Sequence, residues 1–407
     1  MDDALKVFAS RLSHPAFFSG GSVGLTSLTG SADAFTALSL AAGFKPRVVV
    51  AITEGIPAAD RLFDDLNLIA ATRDIAPSAY QVRIAEFPSL VQGDKSSLGI
   101  RSKTLAALKA WSLNPYPFVI VAPFVSLARP VAASAQPSLR LVEGVSKFSE
   151  VVAEIAGLGY ERIGMVEKEG DWSQRGGIVD VWSPGDEFPV RCEFFGEELE
   201  SIRTFNAATQ RSLERIQSAE IISAKDDLES EEDFSYLTDF LPDDSAVLAL
   251  DHNAYDSERF IKSAFLKVYT GEPLPRGVAL ADFQTVPLPG FGELDVAEAH
   301  HPELFDAARA RLERHLKSAG KAGERIVSLD ALSGGFEIPP SDGFSGLVVV
   351  TKADRVFTKR KARIKKSAVA QGARLSDFDD LEPGEYVVHL EYGVGRFVGS
   401  SEILMDG

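Results

Sequence analysis

The 407 residues exceed one ordinary domain, and 45% hydrophobic with 25% charged residues is the balance of a chain that buries several cores in water. A formal charge of -17 excludes efficient non-specific DNA binding by the chain as a whole, since phosphate neutralisation supplies most of that affinity. The single cysteine, Cys192, excludes an intrachain disulfide and a cysteine-cluster zinc site; no run of about eighteen apolar residues suggests a membrane span, and a cytoplasmic setting is expected.

In chain order, residues 1–125 alternate helical and strand patterns, which predicts a parallel sheet flanked by helices in a nucleotide-binding-like α/β layout. Arg47 to Ile52 (RVVVAI) reads as a buried strand. Pro57 then suits a first helical turn, and Leu62, Phe63, Leu66 and Ile69 share one face of the helix that follows. Gln81 to Phe87 and Phe118 to Ala122 read as further strands, with a helix from about Ser102 to Trp111 between them. Residues 126–220 change character. A helix entered at Ser149 and closed by Gly159 presents Val152, Ile155 and Leu158, and the segments GGIVDVW, PVRCEFF and ELESIRTF predict an α+β insert built on a small sheet. The nine acids of residues 226–244 predict an exposed connection into a buried strand from Ala246 to Leu250. Beyond a Pro/Gly-rich stretch near 273–292, a charged helix from Pro302 to about Ser318 and a strand from Leu347 to Thr351 predict one more small α/β unit. Arg355 to Lys366 (RVFTKRKARIKK) places seven basic residues among twelve, read as a solvated linker or, alternatively, a phosphate contact. The final LEPGEYVVHLEYGVGRFVG reads as two strands joined through glycines, and because the chain stops soon after this unit starts, a truncated fragment is expected.

Ser27 to Thr36 (SLTGSADAFT) sits where a phosphate loop would, ahead of a helix and upstream of a buried strand. A working loop needs G-x-x-x-x-G-K-[ST], because backbone amides cradle the phosphates, the lysine balances their charge and the hydroxyl holds magnesium. Aligned on Gly30, this sequence has Ser27 and Ala32 at the two glycines, Asp33 at the lysine and Ala34 at the hydroxyl. Two unit charges ~4 Å apart interact by about 4 kcal/mol at an effective dielectric of ~20, so a carboxylate in place of the lysine reverses a large favourable contribution. The run Gly20-Gly21-Ser22-Val23-Gly24 matches G-x-S-x-G, but a nucleophile elbow must join a core strand directly to a helix, and here a glycine-rich loop is the better reading. The six histidines show neither H-E-x-x-H nor a ligand spacing with acids, so no metal site is expected.

Gly170 to Ser212 is the most informative stretch. With a two-residue period, Val190, Cys192 and Phe194 share a core-like strand face, while Arg191, Glu193 and Phe195 share the other. An outward phenylalanine beside an arginine suits a docking hot spot, where the ring fills a partner's pocket and the guanidinium pairs with a carboxylate; packing of Phe195 under a neighbouring loop is the plainer alternative.

The segments GYERIGMVEKEGDWSQRGGIVDVW, PVRCEFFGEELESIRTF and TQRS resemble the UvrB homology module shared by the nucleotide-excision repair protein UvrB and the transcription-repair coupling factors (Mfd). The degenerate loop points to the coupling factors, since UvrB keeps an intact GxTGSGKT. LEPGEYVVHLEYGVGRFVG is similar to the start of the RNA-polymerase-interacting domain of coupling factors and of CarD-like regulators, an element UvrB lacks. The resemblance implies a multidomain α/β fold: a degenerate P-loop-like domain 1A over 1–125, an inserted α+β domain 2 over 126–220, domain 1B over 221–290 and a small α/β domain 3 over 291–354. A basic linker over 355–377 and the truncated start of a Tudor/CarD-like β-barrel over 378–407 complete it.

The same resemblance implies that domain 2 recruits UvrA through Arg175, Arg191 and Phe195, and that the cut barrel gives weak or absent contact with the RNA polymerase β subunit. It implies no catalytic residue, metal or cofactor within these residues. ATP, Mg and double-stranded DNA belong to a motor expected beyond residue 407, which in the full-length family member displaces stalled polymerase during transcription-coupled nucleotide excision repair. Two alternatives remain: a divergent UvrB-type helicase module that binds damaged DNA, and a CarD-like transcription regulator that binds RNA polymerase.

Overall fold

The computed structural model describes residues 4–355, apart from short internal segments of which 226–233, 255–263 and 290–301 are the longest, together with residues 386–389 and 393–396. Helices α1 (Ala4–Ser10) and α2 (Ala16–Ser19) lead into strand β1 (Gly21–Thr26). There follow α3 (Ala32–Ala42), β2 (Val48–Thr53), α4 (Ile56–Ala71), β3 (Arg83–Glu86), α5 (Lys95–Trp111), β4 (Phe118–Pro123) and the single turn α6 (Phe124–Leu127). The expected helix from 102 starts at Lys95 instead, because Asp94 accepts a hydrogen bond from the Ser96 amide at 3.0 Å and so caps the helix seven residues upstream of Ser102.

After the two-residue β5 (Val131–Ala132) the chain leaves this layer for an insert. It comprises β6 (Ser138–Val142), α7 (Phe148–Gly157), β7 (Glu161–Arg162), β8 (Asp171–Arg175), β9 (Ile178–Val181), β10 (Val190–Phe195), β11 (Glu198–Phe205), β12 (Ser212–Ile216) and β13 (Ser218–Ile222). The chain returns through β14 (Phe234–Ser235), which pairs with β5, and then runs through β15 (Ala246–Ala249), β16 (Leu266–Tyr269), β17 (Ala279–Gln284), α8 (Pro302–Ala322), β18 (Arg325–Ser328), β19 (Phe336–Ile338), β20 (Leu347–Val350) and α9 (Lys352–Arg355).

The principal sheet has the order β17-β1-β16-β15-β2-β4-β3 with every neighbour parallel. Strands from residues 21–123 and from 246–284 therefore interleave in one sheet, with β15 and β16 between β1 and β2. A parallel sheet must be covered on both faces, and β2 and β4 are buried along their whole length. Their period-2 alternation sends Val49, Ala51, Val119 and Val121 to one core and Val48, Val50, Phe118 and Ile120 to the other, where Ala107, Leu108 and Trp111 of α5 cover them.

The first of these cores has a second wall. The three-stranded sheet β18-β20-β19 contributes Val327, Phe336, Leu347 and Val349 to it, and Val348 and Val350 face α8 on the other side. Helix α3 lies between the two sheets with nine of its eleven residues buried. Phe8, Phe35, Phe283 and Phe336 meet there with ring centroids 5.1–5.9 Å apart, knitting the N-terminal helix to both sheets.

The insert carries its own core. Its six-stranded sheet, ordered β12-β11-β10-β9-β8-β7, buries Val179, Val181, Val190, Cys192, Leu199 and Ile202 against α7 and the β6–β13 ribbon. The two faces of β10 divide as its alternation predicts. Ser149 does not cap α7; the cap position is Lys147, and the Ser149 amide and hydroxyl both donate to Glu197 at 3.1 and 2.8 Å, tying the helix to the β10–β11 hairpin. The insert sits close against α5. A Cβ at Gly99 would stand 2.2 Å from the Pro184 carbonyl oxygen, and Lys103 pairs with Asp186 at 2.6 Å.

Cys192 is fully buried, and burial pushes its thiol up to about 12. The expected result with an aromatic disulfide reagent at pH 8 is no reaction in native buffer and one equivalent per chain in urea, which makes the thiol a reporter for the opening of this insert.

Part of the 226–244 segment lies outside the described residues, and within the remainder Leu237 is buried rather than exposed. The basic run lies outside as well, from residue 356 on. Residues 359–407 form a separate unit, in which β21 (Tyr386–His389) and β22 (Gly393–Arg396) pair antiparallel, Tyr386 opposite Arg396 and His389 opposite Gly393. Among the described residues no helix is long and apolar enough to cross a membrane.

Candidate docking surface and a closed phosphate loop

The degenerate phosphate loop lies between β1 and α3, as in a nucleotide-binding sheet, but the donors of Thr29 and Ser31 are used within the chain. Ser27 falls outside the described residues. The Thr29 amide donates to the Thr285 hydroxyl at 2.8 Å, and the Ser31 amide and hydroxyl both donate to the Gly334 carbonyl, at 3.0 and 2.7 Å. Gly30 has φ +61°, and a Cβ there would stand 2.4 Å from the Gly335 oxygen and 2.6 Å from that of Gly334. The Gly334-Gly335 backbone thus fills the cradle, held from the other side by the Ser333 amide, which donates to Asp65 of α4 at 2.7 Å.

Ala32 and Ala34 are buried, and the half-buried Asp33 accepts from the Ala34 amide at 2.7 Å. Burial, then the charge of Asp65, push the Asp33 carboxyl up to about 7, against the pull of the Ala34 amide and Arg61. A triphosphate does not fit these residues: the Thr29 and Ser31 amides already have acceptors, and an acid stands where a cation is required.

The raised Asp33 value makes stability depend on pH. A carboxyl held above its ordinary 3.8 stabilises the fold fully below that value and loses this contribution as pH rises through about 7. Asp33→Asn is therefore expected to melt higher than the parent at pH 8, with the gap closing toward pH 4. A thermal melt series over that range checks it, and an unchanging gap would contradict the assignment.

Ser22, at the centre of the G-x-S-x-G match, lies within β1 rather than at a strand-to-helix turn. Among the described residues no group of three His, Cys, Asp or Glu side chains is arranged to hold a metal ion.

The outward face of the insert's sheet gathers what sequence reasoning singled out. Register places Ser173, Asp180, Arg191 and Arg203 in one row across β8 to β11, and Arg175, Ile178, Glu193 and Ser201 in the next. Arg191 donates Nε to Asp180 Oδ1 at 2.7 Å and Nη2 to Oδ2 at 2.9 Å. It also reaches the Gln210 side-chain oxygen at 3.1 Å and lies over the Phe205 ring at 4.5 Å, so only 15% of its side chain is exposed. Its hydrogen bonds to Asp180 hold the Arg191 guanidinium above its ordinary value. Arg175 donates Nη2 to the same Oδ2 at 2.7 Å and stays 47% exposed. Phe195, at the hairpin tip, is 79% exposed, while Phe194 turns inward onto Phe148.

The three residues are not equivalent. Arg175 and Phe195 face solvent, whereas Arg191 is braced by neighbours in the same sheet. Two members of the network were missed from sequence. Asp180 reads as an ordinary polar position in IVDV, although an acid between valines of a buried strand signals a paired carboxylate. Gln210 belongs to the TQRS segment and sits at φ +57°, a turn conformation that periodicity does not reveal.

Residues 141–226 match the UvrB interaction domain family, a span that contains Arg175, Asp180, Arg191, Phe195 and Gln210. The transcription-repair-coupling factor of Staphylococcus aureus (strain MRSA252) is 23% identical over 443 residues, covering 80% of this chain and 36% of that protein. That of Staphylococcus haemolyticus (strain JCSC1435) is 23% identical over 383 residues, covering 65% of this chain and 32% of that protein. The chain spans about a third of the length of these curated relatives. The insert thus matches the UvrB interaction domain family, and most of the chain is similar to about a third of these transcription-repair-coupling factors.

Proposed function

We propose that this chain is the recruiting, non-hydrolysing part of a transcription-repair coupling factor, and that the outward face of its insert docks UvrA. The carrying observation is Phe195, a large apolar ring left in water on the same face as the half-exposed Arg175, inside the residues that match the UvrB interaction domain. An aromatic ring flanked by a guanidinium is the composition of an interface hot spot, and leaving it in water has no folding benefit. Two arginines share one carboxylate at Asp180, so the cluster carries a surplus positive charge suited to an acidic rim on the partner. The closed loop beside α3 supports a role without nucleotide in these residues. The remaining functions of the family are proposed for other parts of the protein: contact with the RNA polymerase β subunit from 378–407, and ATP- and Mg-dependent movement on double-stranded DNA from a motor outside this sequence. Calorimetric titration of the chain with purified UvrA tests the reading. Saturable binding that is lost when Arg175, Arg191 and Phe195 are all changed to alanine supports it, and equal binding by parent and triple variant overturns it.

A further inference from the structure

The side chain of Asp180 has no exposed surface, yet it belongs to the outward row of a sheet whose opposite face already packs a core. Two arginine side chains cover it. Arg191 takes both carboxylate oxygens and commits its remaining nitrogen to the Gln210 carbonyl at 3.4 Å, with Phe205 beneath the guanidinium plane. Arg175 gives one nitrogen to Oδ2 and keeps about half its side chain in solvent. Arg175 stands two strands and two residues from Phe195 along the register, which at ~4.8 Å per strand and ~3.4 Å per residue puts their Cα atoms about 12 Å apart.

Resting on the docking reading above, we infer that Asp180 is a positioning residue: braced by Arg191, it fixes Arg175 as the cation that touches the partner beside Phe195. The roles of the two arginines then divide. Arg175 reaches a carboxylate on the partner next to the pocket that receives Phe195, and Arg191 acts through Asp180 without contacting the partner. An isolated guanidinium on an exposed strand end samples many rotamers; one anchored to a buried carboxylate loses less freedom on docking, so the anchor is read out as affinity.

The test is a double-mutant cycle on the whole chain, with purified UvrA as the probe in calorimetry. Asp180→Asn keeps the shape and removes the charge. It is expected to weaken binding about tenfold in the parent and to change it less than twofold in a chain already carrying Arg175→Ala. Equal weakening in both backgrounds overturns the inference, because Asp180 would then act on the fold or on another contact. The reactivity of Cys192 reports whether the insert stays closed. Should Asp180→Asn open it, the same cycle is run with Arg191→Lys, which keeps the charge but loses the two-pronged grip on Asp180; a loss confined to the Arg175 background again supports the inference, and a loss in both again overturns it. Failure of the folded parent to bind UvrA at all is a different result: it removes the docking reading and this inference with it.

Discussion

Phe195→Ala is expected to weaken binding of the chain to UvrA by about thirtyfold, the equivalent of ~2 kcal/mol for a truncated hot-spot aromatic. The same change is expected to leave the melting temperature within a degree or two, since a ring 79% exposed leaves no cavity when it is removed. The contrast between the two readouts is what separates docking from packing. Phe205, a fully buried ring under Arg191, gives the opposite pattern: Phe205→Ala costs about 3–5 kcal/mol of folding stability and loses binding only because the sheet loosens. If Phe195→Ala binds within twofold of the parent, the exposed ring is incidental and the docking surface lies elsewhere.

Gly30→Ala is the second large effect expected, and it acts on stability. The left-handed φ of +61° costs a side chain ~1–2 kcal/mol by itself. The added Cβ would also press on two backbone oxygens, those of Gly334 and Gly335, which cannot rotate away as a side chain would. Two hydrogen bonds from Ser31 to Gly334 then lengthen or break, at ~1 kcal/mol each. A total loss of about 3–5 kcal/mol is expected in urea denaturation. An open anion cradle would show only the conformational cost, so a loss near 1 kcal/mol would mean that the Gly334-Gly335 backbone does not fill the loop in solution. For the same reason Asp33→Lys, which restores the charge a phosphate loop needs, is expected to gain no binding of a fluorescent ATP analogue.

The parallel sheet was legible because its strands are continuous apolar runs; RVVVAI and FVIVA allow few other readings, and both lie where expected. The faces of β10 were legible for a related reason, since period-2 alternation sorts Cys192 from Arg191 without any tertiary knowledge. What sequence did not disclose depends on contacts between distant residues. Gly334 meets Ser31 across 303 positions, and no local pattern marks it as the occupant of a loop. Arg191 looks like an available cation in VRCEFF; only the fold brings Asp180 and Gln210 to it from 11 and 19 positions away. Arg101 was invisible in the same way. It is almost wholly buried with no carboxylate paired to it among the described residues, and it donates to the carbonyls of Pro88, Ser126, Arg129 and Pro130 over the Phe87 ring, a role that a charged residue in a helix does not announce.

The insert departs after β4 and returns before β15, with β5 and β14 zipped together at its neck, and its apolar core is separate from those of the principal sheet. Such a cassette lets the two halves drift independently. Changes in the loop ahead of α3, whose hydrogen-bond partners Thr285 and Gly334 lie outside the insert, therefore need not disturb the arginine-bearing sheet, and the two bodies are free to diverge at different rates.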